Sequence, residues 1–394
     1  MKRPLYEVAH IIDDNWQKIC RLPSINTHQL RMLNALRICR TSHLGWHLDA
    51  CNNNTCGHLQ ISYNSCRNRH CPKCQGKNRE DWIKKQYKKL LPVKYFHVVF
   101  TLPSELNSLC LSYPKMMYST LFKAAWETIK TFAMDSKHLG AQSGMTCILH
   151  TWGQNLSLHP HLHCIIPSGG ISKKGNWILS KSKGKFLFPV KAMSQVFRAK
   201  FVQLLRKSSR KNQINVEREI YDQAFQKKWV VYAKQPFLGP NQIIEYIGRY
   251  THKIAISNHR LLKIENNSVR FRYKDYRQGG KAKIMVLETM EFIRRFSLHI
   301  LPLRFVRIRH YGILNGRFSM STQSIVEAIE QAGLNITSIE NKMKFFPKSN
   351  LQYPKCPKCK KGTMLIMVMG FGRDPPKDLN AFKKNKKRLP MVSF

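Results

Sequence analysis

The spacing of apolar residues divides the chain into three parts. Residues 1 to about 45 repeat apolar positions with a period near 3.6, as in THQLRMLNALRICRTSH, which predicts helices. Runs rich in β-branched and aromatic residues, such as KYFHVVFTLP and GMTCILHTWG, predict strands between helical segments, and HRLLKIENNSVRFRYKDY predicts a hairpin across Asn266 and Asn267. We therefore expect an α+β protein with a helical module at 1–92, a mixed domain at 93–315, and a segment at 316–394 that holds a helix, a CPKC pair and a basic tail.

Charge points to a polyanionic partner. The 394 residues include 67 Lys and Arg but only 22 Asp and Glu, a net charge of +45. Such a surface repels itself unless a polyanion neutralises it, and nucleic acid is the usual polyanion, with a membrane surface as the weaker alternative. We find no signal peptide and no apolar run of the roughly 18 residues that span a bilayer. We therefore expect a cytoplasmic protein whose 12 cysteines are reduced.

Three alternating histidines stand out in the segment LSLHPHLHCIIPSGG. Side chains at i and i+2 share one face of a strand, so His161 and His163 can converge on one cation. Two nitrogens leave coordination positions open, which suits Mg²⁺ or Mn²⁺ acting on phosphate oxygens, and zinc stays an alternative. The third ligand is open, with Gln154, His159 and His97 as candidates.

A predicted helix in NQIIEYIGRYTHKIAIS carries two tyrosines. Tyr246 and Tyr250 lie one turn apart, and Arg249 and Lys253 fall on the same stripe, where they could bind phosphate. Tyrosine is a poor nucleophile near neutral pH because its pKa is about 10, so it needs a cation that polarises the target phosphate. Covalent attack would conserve the energy of the phosphodiester, which fits the lack of a GxxxxGK[ST] nucleotide-binding loop in the sequence.

Cysteines cluster in CNNNTCGHLQISYNSCRNRHCPKCQ. The pair Cys71 and Cys74 has the spacing of a zinc knuckle, and Cys51 and Cys56 form the second expected pair of a structural zinc site. Further candidate ligands are Cys66 and His70. The role of the later pair Cys356 and Cys359 is open, because no second pair follows it in the chain.

These elements together resemble the HUH superfamily, and more closely the two-tyrosine transposases of rolling-circle bacterial insertion sequences. The segments that carry the resemblance, in the family's order, are YNSCRNRHCPKCQ, HTWGQNLSLHPHLHCIIPSGG, EYIGRYTHKIAISNHRL and FIRRFSLHILPLRFVRIRHYG. The resemblance implies a central antiparallel sheet flanked by helices, an N-terminal zinc-binding module, a divalent ion on His161 and His163, and Tyr246 and Tyr250 as nucleophiles. It further implies cleavage of single-stranded DNA through a 5′-phosphotyrosine ester, and it leaves open which tyrosine attacks first.

DNA at the element ends and at the target is the expected partner, host replication or helicase proteins are further candidates, and a nucleoid-associated location is implied. The candidate DNA-binding side chains are Arg67, Arg69, Arg249, Lys253, Arg307 and Arg309. A plasmid or phage replication initiator or relaxase is the alternative with the same chemistry. A zinc-ribbon protein that binds DNA without catalysis is the second alternative.

Overall fold

The computed structural model describes residues 4–74, 90–181, 187–237, 254–334 and 354–370, together with 372, 374–376 and 379. Its helices are α1 (Val8–Asp14), α2 (Trp16–Cys20), α3 (Thr27–Arg37), α4 (Asn107–Ser112), α5 (Pro114–Met134), α6 (Val190–Lys211), α7 (Arg218–Gln226), α8 (Thr289–Ser297) and α9 (Thr322–Gln331). Its strands are β1 (Trp46–Cys51), β2 (Leu59–Tyr63), β3 (Tyr95–Thr101), β4 (Gly144–Trp152), β5 (Leu158–Pro167), β6 (Gly169–Ile171), β7 (Trp177–Leu179), β8 (Val231–Phe237), β9 (Leu261–Glu265), β10 (Ser268–Asp275), β11 (Lys281–Glu288), β12 (Ile308–Gly312) and β13 (Met364–Gly370). Within these ranges, none of the helices combines the length and the apolar character that crossing a bilayer requires.

A five-stranded antiparallel sheet forms the centre of the molecule. Its strand order is β12-β4-β5-β3-β8, so the histidine strand β5 lies in the middle of the sheet. The strands β4 and β5 follow one another in the chain and pair as a hairpin, as short connections favour. The α+β class and the central antiparallel sheet expected from the sequence are confirmed.

The two faces of this sheet have different roles because side chains alternate along each strand. One face carries apolar residues such as Phe100, Leu149 and Leu162, and it packs in one core with α5 and α6. On the other face, Ile148 and Ile165 pack in a second core that includes residues of α9. The imidazoles of β5 lie on this second face.

The N-terminal helices and the sheet β11-β10-β9 share a third core, which includes Ile11, Phe271 and Phe292. Asn26 caps α3 by accepting a hydrogen bond from the backbone N–H of Gln29, and the Gln29 side chain accepts one in return from the N–H of Asn26. The predicted hairpin is confirmed: Asn266 and Asn267 join β9 to β10 with φ values of 46° and 57°. Asparagine tolerates such left-handed conformations better than most residues do.

A separate three-stranded sheet joins the two ends of the chain. Its order is β13-β1-β2, and Cys51 at the end of β1 pairs with Met364 at the start of β13. The strand β13 belongs to the expected 316–394 segment. It nevertheless pairs with β1, which lies in the expected 1–92 module. Pairing over 300 residues of separation leaves no local signal in the sequence.

Candidate functional site

Three histidines meet on the second face of the central sheet. In the β4–β5 ladder, His150 lies directly opposite His161, and Ile148 lies opposite His163. The ligand nitrogens of His150, His161 and His163 all lie within 4.8 Å of one another. His150 and His163 are 2% and 8% exposed, so the cluster forms a recessed site rather than a solvated surface.

The strand alternation of β5 produces this arrangement. His161 and His163 point to one face, while Leu162 and Cys164 point to the other and pack in the apolar core. On the neighbouring strand β4, the ring of His150 stacks on that of Trp152 with centroids 4.7 Å apart. This contact fixes the position of the His150 imidazole. Packing of Leu162 and Cys164 in the core thus also fixes the direction in which His161 and His163 point.

Hydrogen bonds select the nitrogen that each β5 histidine presents. The Nδ1 of His161 lies 2.6 Å from the backbone oxygen of His159, which can only accept, so Nδ1 carries the proton and Nε2 carries the lone pair. The Nδ1 of His163 lies 2.9 Å from Nε2 of His97. Burial, with smaller contributions from the charges of Lys234 and His161, lowers the pKa of His97 to about 3, so His97 is neutral and its Nε2 either accepts from or donates to His163. Only the arrangement in which His97 accepts leaves the lone pair of a neutral His163 on Nε2.

Neutral imidazoles oriented by a second hydrogen bond are typical of divalent transition-metal sites in proteins. The donor set therefore fits such an ion. Of the three candidates for a third ligand, His97 contacts His163 instead of joining the cluster, and His159 lies outside the group of three. Gln154 lies in the β4–β5 connection, where its backbone oxygen accepts a hydrogen bond from Arg260.

Sequence reasoning missed His150. The signal was present, because GMTCILHTWG already predicts a strand and a short turn separates it from the histidine strand. Counting outward from the Trp152–Leu158 pair would place His150 opposite Pro160, and a one-residue shift in the ladder between His150 and Trp152 brings it opposite His161 instead.

The cysteines form two groups of four, and neither is the expected set of Cys51, Cys56, Cys71 and Cys74. Cys71 and Cys74 meet Cys39 and Cys66, and the four ligand sulfurs lie within 4.8 Å of one another. The Cys74 Sγ lies 3.6 Å from that of Cys39 and 3.7 Å from that of Cys66. These separations match the edge of a tetrahedron around zinc, about 3.8 Å for Zn–S bonds of about 2.3 Å.

Cys51 and Cys56 lie elsewhere, beside Cys356 and Cys359. The expected combination of Cys51 and Cys56 with Cys71 and Cys74 is therefore not the one that the structure assembles. The reason is that β1 and β2 carry Cys51 and Cys56 to the far end of their sheet, while α3 brings Cys39 to the knuckle.

His70, the other candidate zinc ligand, lies outside both cysteine groups. Its side chain is buried, and among the described residues its Nε2 has no hydrogen-bond partner. Burial, with smaller contributions from nearby cationic side chains, lowers the pKa of His70 well below its usual value. This position gives no support to zinc ligation by His70.

Of the basic residues expected to contact DNA, only Arg67 is described as exposed. Arg69 donates hydrogen bonds to the backbone oxygens of Phe305 and Pro302, and Arg307 is 8% exposed. Arg309 stacks on Phe122, 4.3 Å from the ring centroid. Arg307 is therefore buried, while Arg69 and Arg309 are half-buried and held by contacts within the protein, and a role of these three residues in DNA binding stays a prediction.

Arg69→Ala is expected to lower the free energy of unfolding by about 1–3 kcal/mol, because two carbonyl oxygens lose their donor in a partly buried interface. Arg67→Ala removes an exposed side chain two residues away and should change stability by less than about 0.5 kcal/mol. Urea unfolding followed by circular dichroism measures both. Equal stability of the two variants would contradict the assignment of Arg69 to the interface.

Tyr246, Tyr250, Arg249 and Lys253 lie in residues 238–253, outside the described residues. The flanking positions are described. Before this stretch, β8 forms the edge of the central sheet beside β3. After it, Ile254 and Trp152 line one small cavity, and Trp152 stacks on His150. The last described residue before this stretch therefore lies in the central sheet, and the first one after it lies beside Trp152.

Two protein-family models match the chain. One, described as "Transposase zinc-binding domain", matches residues 11–102, and the other, described as "Putative transposase", matches residues 144–322. The chain is 41% identical over 373 residues to "Putative transposase y4qJ" of Sinorhizobium fredii, covering 90% of this chain and 92% of that protein. It is 26% identical over 335 residues to "Transposase for insertion sequence element IS801" of Pseudomonas savastanoi pv. phaseolicola, covering 80% and 78%.

No solved structure matches the chain. The zinc-binding domain match and the cysteine clusters agree on structural zinc. Both family models and both relatives are described as transposases. The chain belongs to the two-tyrosine transposase family of rolling-circle insertion sequences, the family that its histidine and tyrosine motifs resemble.

Proposed function

We infer that this transposase nicks and rejoins single-stranded DNA at the ends of its mobile element through a 5′-phosphotyrosine intermediate. The observation that carries the inference is the convergence of three imidazoles within 4.8 Å on the central sheet. Tyr246 and Tyr250 are the proposed nucleophiles, and His150, His161 and His163 are the proposed ligands of a divalent ion.

The attachment of the tyrosine segment supports this assignment. Residues 238–253 connect β8, which pairs with β3, to Ile254, which shares a cavity with Trp152. The strand β3 in turn pairs with the histidine strand β5. A chain of 16 residues between these two points is long enough to bring either tyrosine to the imidazoles.

In the proposed reaction, the hydroxyl oxygen of one tyrosine attacks a phosphodiester phosphorus and forms a new P–O bond to the protein. The bond from phosphorus to the 3′ oxygen breaks, the phenol proton passes to water, and the departing 3′ oxygen takes up a proton. One phosphate ester replaces another, so a 3′ hydroxyl can later reverse the attack without a nucleotide cofactor. The second tyrosine would accept the second cleaved end or the target strand.

A divalent cation on the three imidazoles would polarise the phosphate and offset the charge that develops during attack. Imidazole nitrogen suits transition metals better than Mg²⁺, which prefers oxygen ligands. Of the two ions expected from the sequence, we therefore propose Mn²⁺ as the better support for cleavage.

The direct test is covalent attachment of the purified protein to labelled single-stranded DNA from the element's end, with Mn²⁺, with Mg²⁺ and with a chelator. A protein–DNA adduct that survives denaturation is expected with Mn²⁺ and not with the chelator. A replication initiator or relaxase would form an adduct with an origin sequence rather than the element's end. A protein that binds DNA without catalysis would form no adduct with either, and that result would contradict the inference.

His97 is the proposed positioning residue for His163. We expect His97→Phe, which keeps the bulk but removes the hydrogen-bond partner of the His163 Nδ1, to weaken Mn²⁺ affinity by about 10- to 100-fold. His97→Gln keeps an acceptor and should retain most of the affinity. The readout is the Mn²⁺ concentration that gives half-maximal adduct formation. Equal half-maximal concentrations for His97→Phe and the unmodified protein would contradict the positioning role.

A further inference from the structure

Four cysteines from opposite ends of the sequence meet in the second cysteine group. The sulfurs of Cys51, Cys56, Cys356 and Cys359 all lie within 4.8 Å of one another. The Cys51 Sγ lies 3.7 Å from that of Cys359, and the Cys56 Sγ lies 3.6 Å from that of Cys356. Both separations are close to the tetrahedral edge of about 3.8 Å that Zn–S bonds of about 2.3 Å produce.

The backbone around these sulfurs is arranged to stabilise thiolates. The N–H of Asn53 donates to the Cys51 Sγ at 3.4 Å, and the N–H of Gly362 donates to the Cys359 Sγ at 3.3 Å. Hydrogen bonds from backbone N–H groups favour the charged form of a sulfur, which is the form that binds zinc. One sulfur in each cysteine pair thus accepts a hydrogen bond from a nearby backbone N–H group.

Gly362 allows the two loops to approach. A Cβ at this position would lie 2.4 Å from the Cys51 Sγ, closer than any real contact. Glycine is the only residue that leaves this space to the sulfur. The C-terminal loop is therefore shaped around a sulfur of the N-terminal one.

Next to the sheet cluster of Trp46, Leu48 and Met367, the loops around these sulfurs have little apolar packing of their own. The buried members of the local cluster are Cys51, Cys356 and Met364, with Cys56 and Cys359 packed against them. A core that small does not hold an irregular loop without a crosslink or a metal. The flanking lysines in KCPKCKK would balance the negative charge of a four-thiolate zinc site.

We propose that Cys51, Cys56, Cys356 and Cys359 bind a second structural zinc ion, which fastens β13 to the N-terminal sheet. The ligand pairs are about 300 residues apart, and the zinc-binding domain match ends at residue 102 while the other match ends at residue 322. The second site therefore contains two ligands that neither match covers. It joins the ends of the chain across the catalytic domain.

Zinc stoichiometry tests the proposal on the full-length protein. Native mass spectrometry should find two zinc ions per chain. The double variant Cys356→Ser with Cys359→Ser should hold one, and its retained zinc shows that the first site is still folded. Cys71→Ser with Cys74→Ser is the matched variant for the other site and should lose the other ion. One zinc in the unmodified protein, or a zinc count in the Cys356 and Cys359 variant equal to that of the unmodified protein, would overturn the proposal.

Gly362→Ala tests the geometry without removing a ligand. We expect it to reduce the zinc content to one, whereas Gly372→Ala, at a glycine with no atom within 4 Å of the added Cβ, should retain two. Hydrogen exchange tests the fastening: the Cys356 and Cys359 variant should lose protection in β13 while α5 keeps it. Unchanged protection in β13 would refute the proposed role of the ion. None of these measurements depends on DNA cleavage, so they stand apart from the proposed catalytic function.

Discussion

Replacing both Tyr246 and Tyr250 with phenylalanine is expected to abolish the covalent protein–DNA adduct while leaving DNA binding intact. Phenylalanine keeps the aromatic ring but has no oxygen that can attack phosphorus, so no ester can form. The measurement is denaturing electrophoresis of labelled single-stranded DNA after incubation with Mn²⁺, alongside a binding assay with the same DNA.

Tyr232→Phe is the matched control. Tyr232 is 55% exposed, and its partner across the ladder, Val99, also pairs with His163. It is therefore an accessible tyrosine on the same face of the sheet, two strands from the histidines, and its loss should leave the adduct unchanged. Loss of the adduct in Tyr232→Phe, or its survival in the double variant, would contradict the assignment of the nucleophiles.

His150→Ala is expected to slow adduct formation by about 10²- to 10³-fold, because a site that loses one of its three ligands holds less of the cation that would stabilise the developing charge. This loss of rate is expected because His150, on β4, supplies the one ligand nitrogen of the cluster that does not come from β5. The rate of adduct formation at saturating DNA measures the effect. Higher Mn²⁺ concentrations should restore part of the rate, since two ligands remain.

The matched control for His150→Ala is His310→Ala. His310 lies on β12 of the same sheet, opposite Thr146, and its Nδ1 is 2.9 Å from the Thr146 Oγ1. It is not part of the histidine cluster. If His310→Ala slows the adduct as much as His150→Ala does, the effect belongs to the stability of the sheet and not to metal binding.

Individual strands and the shared face of His161 and His163 were predictable because their signals are local, whereas the central antiparallel sheet was implied by the family resemblance. Alternation in LHPHLHCIIP fixes which side chains share a face, and the Asn266–Asn267 pair marks a hairpin within a few residues. The contribution of His150 needed one more step, the register between neighbouring strands. That register includes a one-residue shift between His150 and Trp152, which neither strand nor the length of the turn reveals.

The cysteine groups were less predictable because proximity in sequence is a poor guide to a metal site that several elements build. Cys39 reaches Cys74 from the end of α3, 35 residues earlier, and Cys359 reaches Cys51 across 308 residues. Grouping the nearest pairs in the sequence joined Cys51 and Cys56 to the wrong knuckle.

The arginines show a further limit. Charge alone predicts an exposed DNA-binding residue, but a guanidinium can also serve as a multiple donor inside an interface, as Arg69 does for two backbone carbonyls. The sequence contains no signal that separates these two uses, because exposed Arg67 and half-buried Arg69 lie in the same polar stretch, CRNRHC.

Identifying the peptide that carries the DNA is the most direct test of the proposed chemistry. Cleavage after Lys234, Arg249 and Lys253 places Tyr246 in the peptide 235–249 and Tyr250 in the peptide 250–253, so mass spectrometry of the trypsin-digested adduct separates the two. The account predicts a nucleotide bound through its 5′ phosphate to one or both of these tyrosines. A nucleotide on any other residue, or a 3′-phosphate linkage, would contradict it.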